Sequence, residues 1–152
     1  MAEKKLIDLY PYKVEDKEPL FLLFKRAKGH IYEGQWRMIG GKVNPGETYW
    51  QAALRELKEE TELVPKLFWS VPSLNRFYEH RTDKILTIPA FAAELNAKNS
   101  IKLNSEHSTF EWFTLQKALE VIIWPEQKRL LKLVHNIVTS DQILDDWLIK
   151  NF

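Results

Sequence analysis

Cysteine is absent from the 152 residues. That removes disulfides, zinc–thiolate sites and thiol nucleophiles from consideration. Also missing is any apolar run near the roughly 20 residues that a membrane-spanning helix needs. The start, Met1-Ala-Glu-Lys-Lys-Leu-Ile-Asp8, holds no apolar core of signal-peptide length. The expectation is therefore a soluble, cytoplasmic protein with no membrane partner. Neither sign of charge is in excess: 22 Lys plus Arg face 21 Asp plus Glu, for a net charge of +1. A protein that coats a nucleic-acid polyanion carries a basic surplus, so no nucleic-acid partner is expected. A small phosphorylated ligand needs only a few local cations and stays open. Repeats, low-complexity tracts and linkers are lacking too, and the length suits one domain over residues 1–152. What is present, 45% hydrophobic and 12% aromatic residues, is the composition of a folded core.

Leu6 to Tyr12 reads as a first strand ending near Pro11, followed by a solvated hairpin loop at Glu15-Asp-Lys-Glu18. Leu20 to Phe24 is an apolar run of strand length that closes on Lys25 and Arg26. Residues 27–35, with Gly29 and Gly34, read as a loop, and Trp36 to Ile39 as a short strand stopped by Gly40 and Gly41. Asn44-Pro45-Gly46-Glu47 has type II turn chemistry, with Pro at the second position and Gly accepting positive φ at the third. Thr48-Tyr-Trp-Gln51 matches a capping box, so a helix is expected from about Thr48 to Glu62. Further strands are expected around Phe68–Val71, Ile85–Phe91 and Phe110–Phe113. Pro125 to Ile149 reads as one or two helices, with Pro125 in a favourable first-turn position.

The predicted helix carries the chemistry. At about 100° per residue, Trp50, Ala53, Leu54, Leu57 and Thr61 share one stripe. Glu56, Glu59 and Glu60 stand at i, i+3 and i+4 and cluster on another face. Arg55–Glu59 and Lys58–Glu62 are favourable i,i+4 pairs, as a solvated face would have. Glu56–Glu59 and Glu56–Glu60 are like-charge neighbours, each costing about 0.2–0.5 kcal/mol. A divalent cation reverses that sign, and clustered hard oxygen ligands suit magnesium or manganese. Such ions neutralise a diphosphate and lower the pKa of water. By helix geometry and charge alone, the solvated face and the metal site explain these residues equally well.

The spacing resembles the Nudix box, G-x5-E-x7-R-E-U-x-E-E-x-G-U with U aliphatic. Gly41, Glu47, Arg55, Glu56, Leu57, Glu59, Glu60 and Leu63 fall in register, and Glu62 replaces the second glycine. Glycine there eases a left-handed helix exit, so the path of the chain at Glu62 is the open point. The resemblance implies a mixed β-sheet in an α/β/α sandwich, with the box as a loop–helix–loop and a C-terminal helix. It implies Mg²⁺, or Mn²⁺, on Glu56, Glu59 and Glu60, with the Gly41 carbonyl as a further ligand. Glu47 and Arg55 would be the ion pair that orients the box. The implied reaction is attack of water on one phosphorus of a nucleoside diphosphate joined to another group. Phe24-Lys-Arg26, Trp36-Arg-Met-Ile-Gly-Gly41 and Glu106-His-Ser-Thr-Phe-Glu-Trp112 are similar to segments of bacterial dihydroneopterin triphosphate diphosphatases. The partner expected is thus a nucleotide or pterin phosphate.

Outside the box, Glu106 is expected as general base or extra ligand beside Glu56 and Glu59, against the alternative of a surface acid. His107 reads as a solvent-exposed loop histidine. Arg26 could hold a phosphate bidentately, and Trp36 could stack on a base or pterin or else fill the core. His80 and Arg81 read as a polar hairpin tip, and Trp69, Trp112 and Trp147 as packing. Ile143, Trp147 and Leu148 are expected to dock on the sheet or on a partner subunit, which leaves a homodimer open. Residues 27–35 and 74–84 read as the loops that set substrate choice. Two other functions compete: a nucleotide-sensing module, which commonly loses box carboxylates, and a dinucleoside polyphosphate hydrolase. An isoprenoid-diphosphate isomerase needs a catalytic cysteine and is excluded.

Overall fold

The computed structural model describes residues 5–96 and 101–152; Met1–Lys4, at the start of the segment read for a leader, lie outside them. Strand β1 runs Leu6–Glu15 and β2 runs Glu18–Arg26. Their connection is the two residues Asp16 and Lys17, with φ of 50° and 65°. Positive φ at both positions is what a type I′ turn requires, and its twist matches that of the strands it joins.

Strand β1 is longer than expected because it passes through Pro11. On one side it pairs in parallel with β6 (Lys84–Glu94). On the other it pairs antiparallel first with β4 (Ile39–Lys42), over Leu6 to Leu9, and then with β2, over Tyr12 to Glu15. Pro11 stands where β1 changes partner on that side, the place in a ladder where a missing N–H costs least. The same split explains a second departure. The strand expected at Trp36–Ile39 is two strands, β3 (Trp36–Arg37) on β2 and β4 on β1, broken at buried Met38. Gly40 and Gly41 do not stop it: they lie inside β4, opposite Asp8 and Ile7.

Helix α1 spans Tyr49–Thr61, and β5 (Leu67–Glu79) forms a long antiparallel hairpin with β6. The hairpin takes in most of 74–84, expected as a loop; only residues 80–83 turn. Cross-strand pairs such as Phe77↔Leu86 and Tyr78↔Ile85 hold it extended. His80 and Arg81 are at its tip, as read from the sequence. Strand β7 (His107–Phe113) pairs with β2, and α2 (Leu115–Val121) and α3 (Pro125–Thr139) follow. Among the described residues seven strands form one mixed sheet, with β3-β2-β1-β6-β5 as its main path.

Both faces of this sheet are covered, which gives the α/β/α sandwich. Alternation along β1 and β2 sends Ile7, Leu9, Leu22 and Phe24 to one face, where Ala52, Ala53 and Leu57 of α1 pack. Tyr10, Tyr12, Phe21 and Leu23 go to the other, against Leu130, Leu131 and Val134 of α3. A strand buried on both faces reads as a continuous apolar run, as Leu20–Phe24 does. The C-terminal helix ends at Thr139 rather than near Ile149. Beyond it a single 3₁₀ turn, Asp145–Trp147, stacks Trp147 on buried Trp69 at 6.4 Å, and Ile149 N donates to Phe68 O. Ile143, Trp147 and Leu148 thus dock on the chain's own sheet.

Candidate active site

The site begins with a turn. Gly46 takes φ of 84°, and Glu47 N donates to Asn44 O at 3.0 Å. Thr48 then caps α1: its hydroxyl accepts from Gln51 N, and the Gln51 side chain accepts from Thr48 N at 2.9 Å. At the far end Glu62 adopts φ of 61° and its N–H donates to Lys58 O at 2.8 Å. A non-glycine residue therefore makes the left-handed exit, at a strain of roughly 1–2 kcal/mol. The chain path at Glu62 is the one a glycine would have given.

Arg55 ties the turn to the helix. Its Nε and Nη2 donate to the two Glu47 oxygens at 2.8 and 3.1 Å, and Nη2 also donates to Lys42 O at 2.8 Å. Its Nη1 faces Glu56 at 2.9 Å and both oxygens of Glu59 at 3.3 Å. These hydrogen bonds hold the Glu47 carboxyl below the usual carboxylate range and push the Arg55 guanidinium further up. Glu56 moves the other way: burial raises its pKa, opposed by Arg55 and assisted by the charges of Glu59 and Glu60. Gly41 of β4 lies flat against this side chain. A Cβ at Gly41 would overlap the Glu56 carboxyl group and come within 2.8 Å of its Cγ. Glycine at 41 is what lets strand and carboxylate meet.

Glu60 is the buried member of the acidic group, 4% exposed. Its Oε2 lies 2.6 Å from Nδ1 of His107. His107 is thus buried at the first residue of β7, not exposed in a loop. The cause is a bulge. Regular pairing from Phe24↔Phe110 and Lys25↔Thr109 would set Ser108 opposite Arg26, but His107 takes that place. The extra residue turns His107 onto the α1 face of the sheet. There the Arg26 Nη1 lies 3.4 Å from His107 Nε2 and 3.1 Å from Glu106 Oε2. Arg26 Nε also donates to Ile31 O at 3.1 Å, which ties the 27–35 loop to this corner.

The contacts form two sets, Gly41, Glu47, Glu56 and Glu59 about Arg55, and Glu60, Arg26 and Glu106 about His107, brought side by side by the consecutive Glu59 and Glu60 of α1. Trp36 stands apart. It is half-buried, edge-on to Phe113 at 5.1 Å, on the sheet face that α2 and α3 cover. Among the described residues no three acidic or imidazole groups converge on one point, because Arg55 occupies Glu56 and Glu59 while Glu60 turns to His107. The donor set nevertheless fits a divalent cation. Three carboxylates share one guanidinium, two of them meet on a single positive nitrogen, and a fourth, Glu60, follows directly on the same helix.

The NUDIX domain family matches residues 11–134 of the chain. The chain belongs to the Nudix family. It is 31% identical over 99 residues to a Caenorhabditis elegans bis(5'-nucleosyl)-tetraphosphatase (asymmetrical), covering 64% of this chain and 71% of that one. It is 30% identical over 100 residues to the Escherichia coli O1:K1 nucleoside triphosphatase NudI, covering 60% and 71%. The crystal structure of a C. elegans Ap4A hydrolase binary complex superposes with a TM-score of 0.75 at 24% identity, over 91% of this chain and 99% of that one. The protein is a Nudix hydrolase that acts on phosphoanhydride bonds, and Nudix hydrolases generally use divalent metal ions. Their substrates are small nucleotides, and no helix among the described residues is long and apolar enough to cross a membrane.

Proposed function

We propose that the whole chain is a single Nudix domain that hydrolyses a nucleoside or pterin polyphosphate with Mg²⁺, or Mn²⁺, as its metal. The observation that carries this reading is the charge balance of α1 and its loop. Three carboxylates surround the one Arg55 guanidinium, and a fourth, Glu60, is buried beside them on the helix with no lysine or arginine among the described residues to pair with it. A sensing module has no need to keep that many acids packed together at a cost in repulsion. Glu56, Glu59 and Glu60, with the Gly41 carbonyl, are the groups that would hold the metal. When bound, it neutralises the diphosphate and makes a water acidic enough to attack. Glu47 and Arg55 keep the loop against the helix so that Glu56 and Glu59 stay aimed. Arg26 would add positive charge toward a phosphate, and half-exposed Glu106, outside the helix, would take the proton from water. Trp36 lies across the sheet from the acids and would meet the ring of the substrate rather than its phosphates.

A second reading, hydrolysis of a dinucleoside polyphosphate, is supported by the tetraphosphatase relatives from C. elegans and mouse. One experiment separates these readings. The purified protein is offered nucleoside triphosphates, dihydroneopterin triphosphate and a dinucleoside tetraphosphate with magnesium, and the products are resolved. Release of pyrophosphate from a triphosphate supports the first reading, and asymmetric cleavage of the tetraphosphate supports the second. Full activity in excess EDTA would exclude both mechanisms as drawn.

A further inference from the structure

Glu60 differs from its two neighbours in how its charge is met. Glu56 and Glu59 face Arg55, but no lysine or arginine among the described residues pairs with Glu60. Its close polar neighbour is His107, at 2.6 Å, and both side chains are only 5% exposed. A buried carboxylate without a compensating partner is costly. Apart from this contact, neither Glu60 Oε2 nor His107 Nδ1 has a hydrogen-bond partner among the described residues, and both atoms are buried.

The state of the imidazole follows from its other side. Arg26 carries only donors, so the 3.4 Å contact is a hydrogen bond when Nε2 of His107 is the acceptor. In the neutral ring the proton then sits on Nδ1, toward Glu60. The ring is held between Arg26 and Phe24, whose ring centroid is 5.0 Å away. The β7 bulge at Ser108 is what delivers it to this face.

We propose that His107 is a positioning residue that, pinned by Arg26 at Nε2, holds Glu60 in place for a divalent cation and ties it to Glu106 through the shared guanidinium. The inference rests on the metal-dependent reading above. In it, one oxygen of Glu60 is held by the protein and the other is kept for the metal, the arrangement by which partners of metal ligands raise affinity. A histidine that only filled space would behave differently under substitution.

The test is Mn²⁺ affinity of the full chain, measured by electron paramagnetic resonance of free Mn²⁺, with melting temperature in EDTA as the control for folding. Partners of metal ligands change affinity by roughly 10–100-fold, so His107→Ala is expected to weaken Mn²⁺ binding by about tenfold or more. The amide nitrogen of Asn can stand where Nδ1 stands, whereas that of Gln reaches the place of Nε2. His107→Asn should therefore recover most of the affinity and His107→Gln should not. Equal affinities across the series, or better binding by Gln than by Asn, would overturn the assignment in favour of packing. If the Ala variant does not fold, the Asn and Gln comparison at matched stability decides. A wild-type protein that neither binds Mn²⁺ nor hydrolyses any polyphosphate fails the functional reading and this inference with it. One that binds and hydrolyses while His107→Ala binds equally well fails this inference alone.

Discussion

Replacing Arg55 by Ala removes six hydrogen bonds at once: two to Glu47, one to Lys42 O, one to Glu56 and two to Glu59. The side chain is 25% exposed, so these bonds are screened in part and full buried values do not apply. Taking about 1 kcal/mol for each of the three bonds that tie the loop, the loss is roughly 3 kcal/mol. For a protein of this size that is a fall in melting temperature of roughly 6–12 °C. The pH dependence adds a sign. Glu47 is held below the ordinary carboxylate pKa chiefly by Arg55. The stability it contributes is therefore present above that ordinary value, about 4.3, and is lost as pH falls through its lowered folded value. The gap between wild type and Arg55→Ala should be full at pH 7 and should narrow below about pH 4. Scanning calorimetry in EDTA at both pH values measures it. An unchanged melting temperature at pH 7, or a gap that widens in acid, would refute the role assigned to Arg55.

Three other outcomes are expected. Burial raises the Glu56 pKa, so its ionised form penalises folding at neutral pH and the penalty fades as pH falls. Glu56→Gln should accordingly melt no lower than wild type at pH 7 in EDTA while its hydrolysis rate drops; a clearly lower melting temperature would contradict this. Glu59→Gln, nearly isosteric and half-exposed, should lose turnover by about two orders of magnitude or more, ~2.7 kcal/mol of barrier, with the fold intact by circular dichroism. Retention of a tenth of the wild-type rate would remove Glu59 from the metal site. Glu106→Gln should lower kcat at least tenfold, about 1.4 kcal/mol, with a smaller change in KM, and kinetics equal to wild type would make Glu106 a surface charge.

Local chemistry was fully legible in the linear chain. The Asn44–Glu47 turn, the Thr48 cap, the length of α1 and the i, i+3, i+4 clustering of Glu56, Glu59 and Glu60 depend only on residues within a few positions of one another. The spacing of Gly41, Glu47 and Arg55 likewise marked the family before any fold was known. What lay beyond reach depended on partners distant in sequence. The division of one strand into β3 and β4 follows from β1 changing neighbours at Pro11, and the length of the β5–β6 hairpin from pairing across 67 to 94. His107 is the sharpest case. Alternation with Phe110 and Trp112, which pack against the α1 face, would send an odd-numbered neighbour to the opposite face. One extra residue at Ser108 reverses that parity and buries His107 between Glu60 and Arg26. A bulge is a property of two strands in register, so only the assembled sheet could decide which side of it the histidine would face.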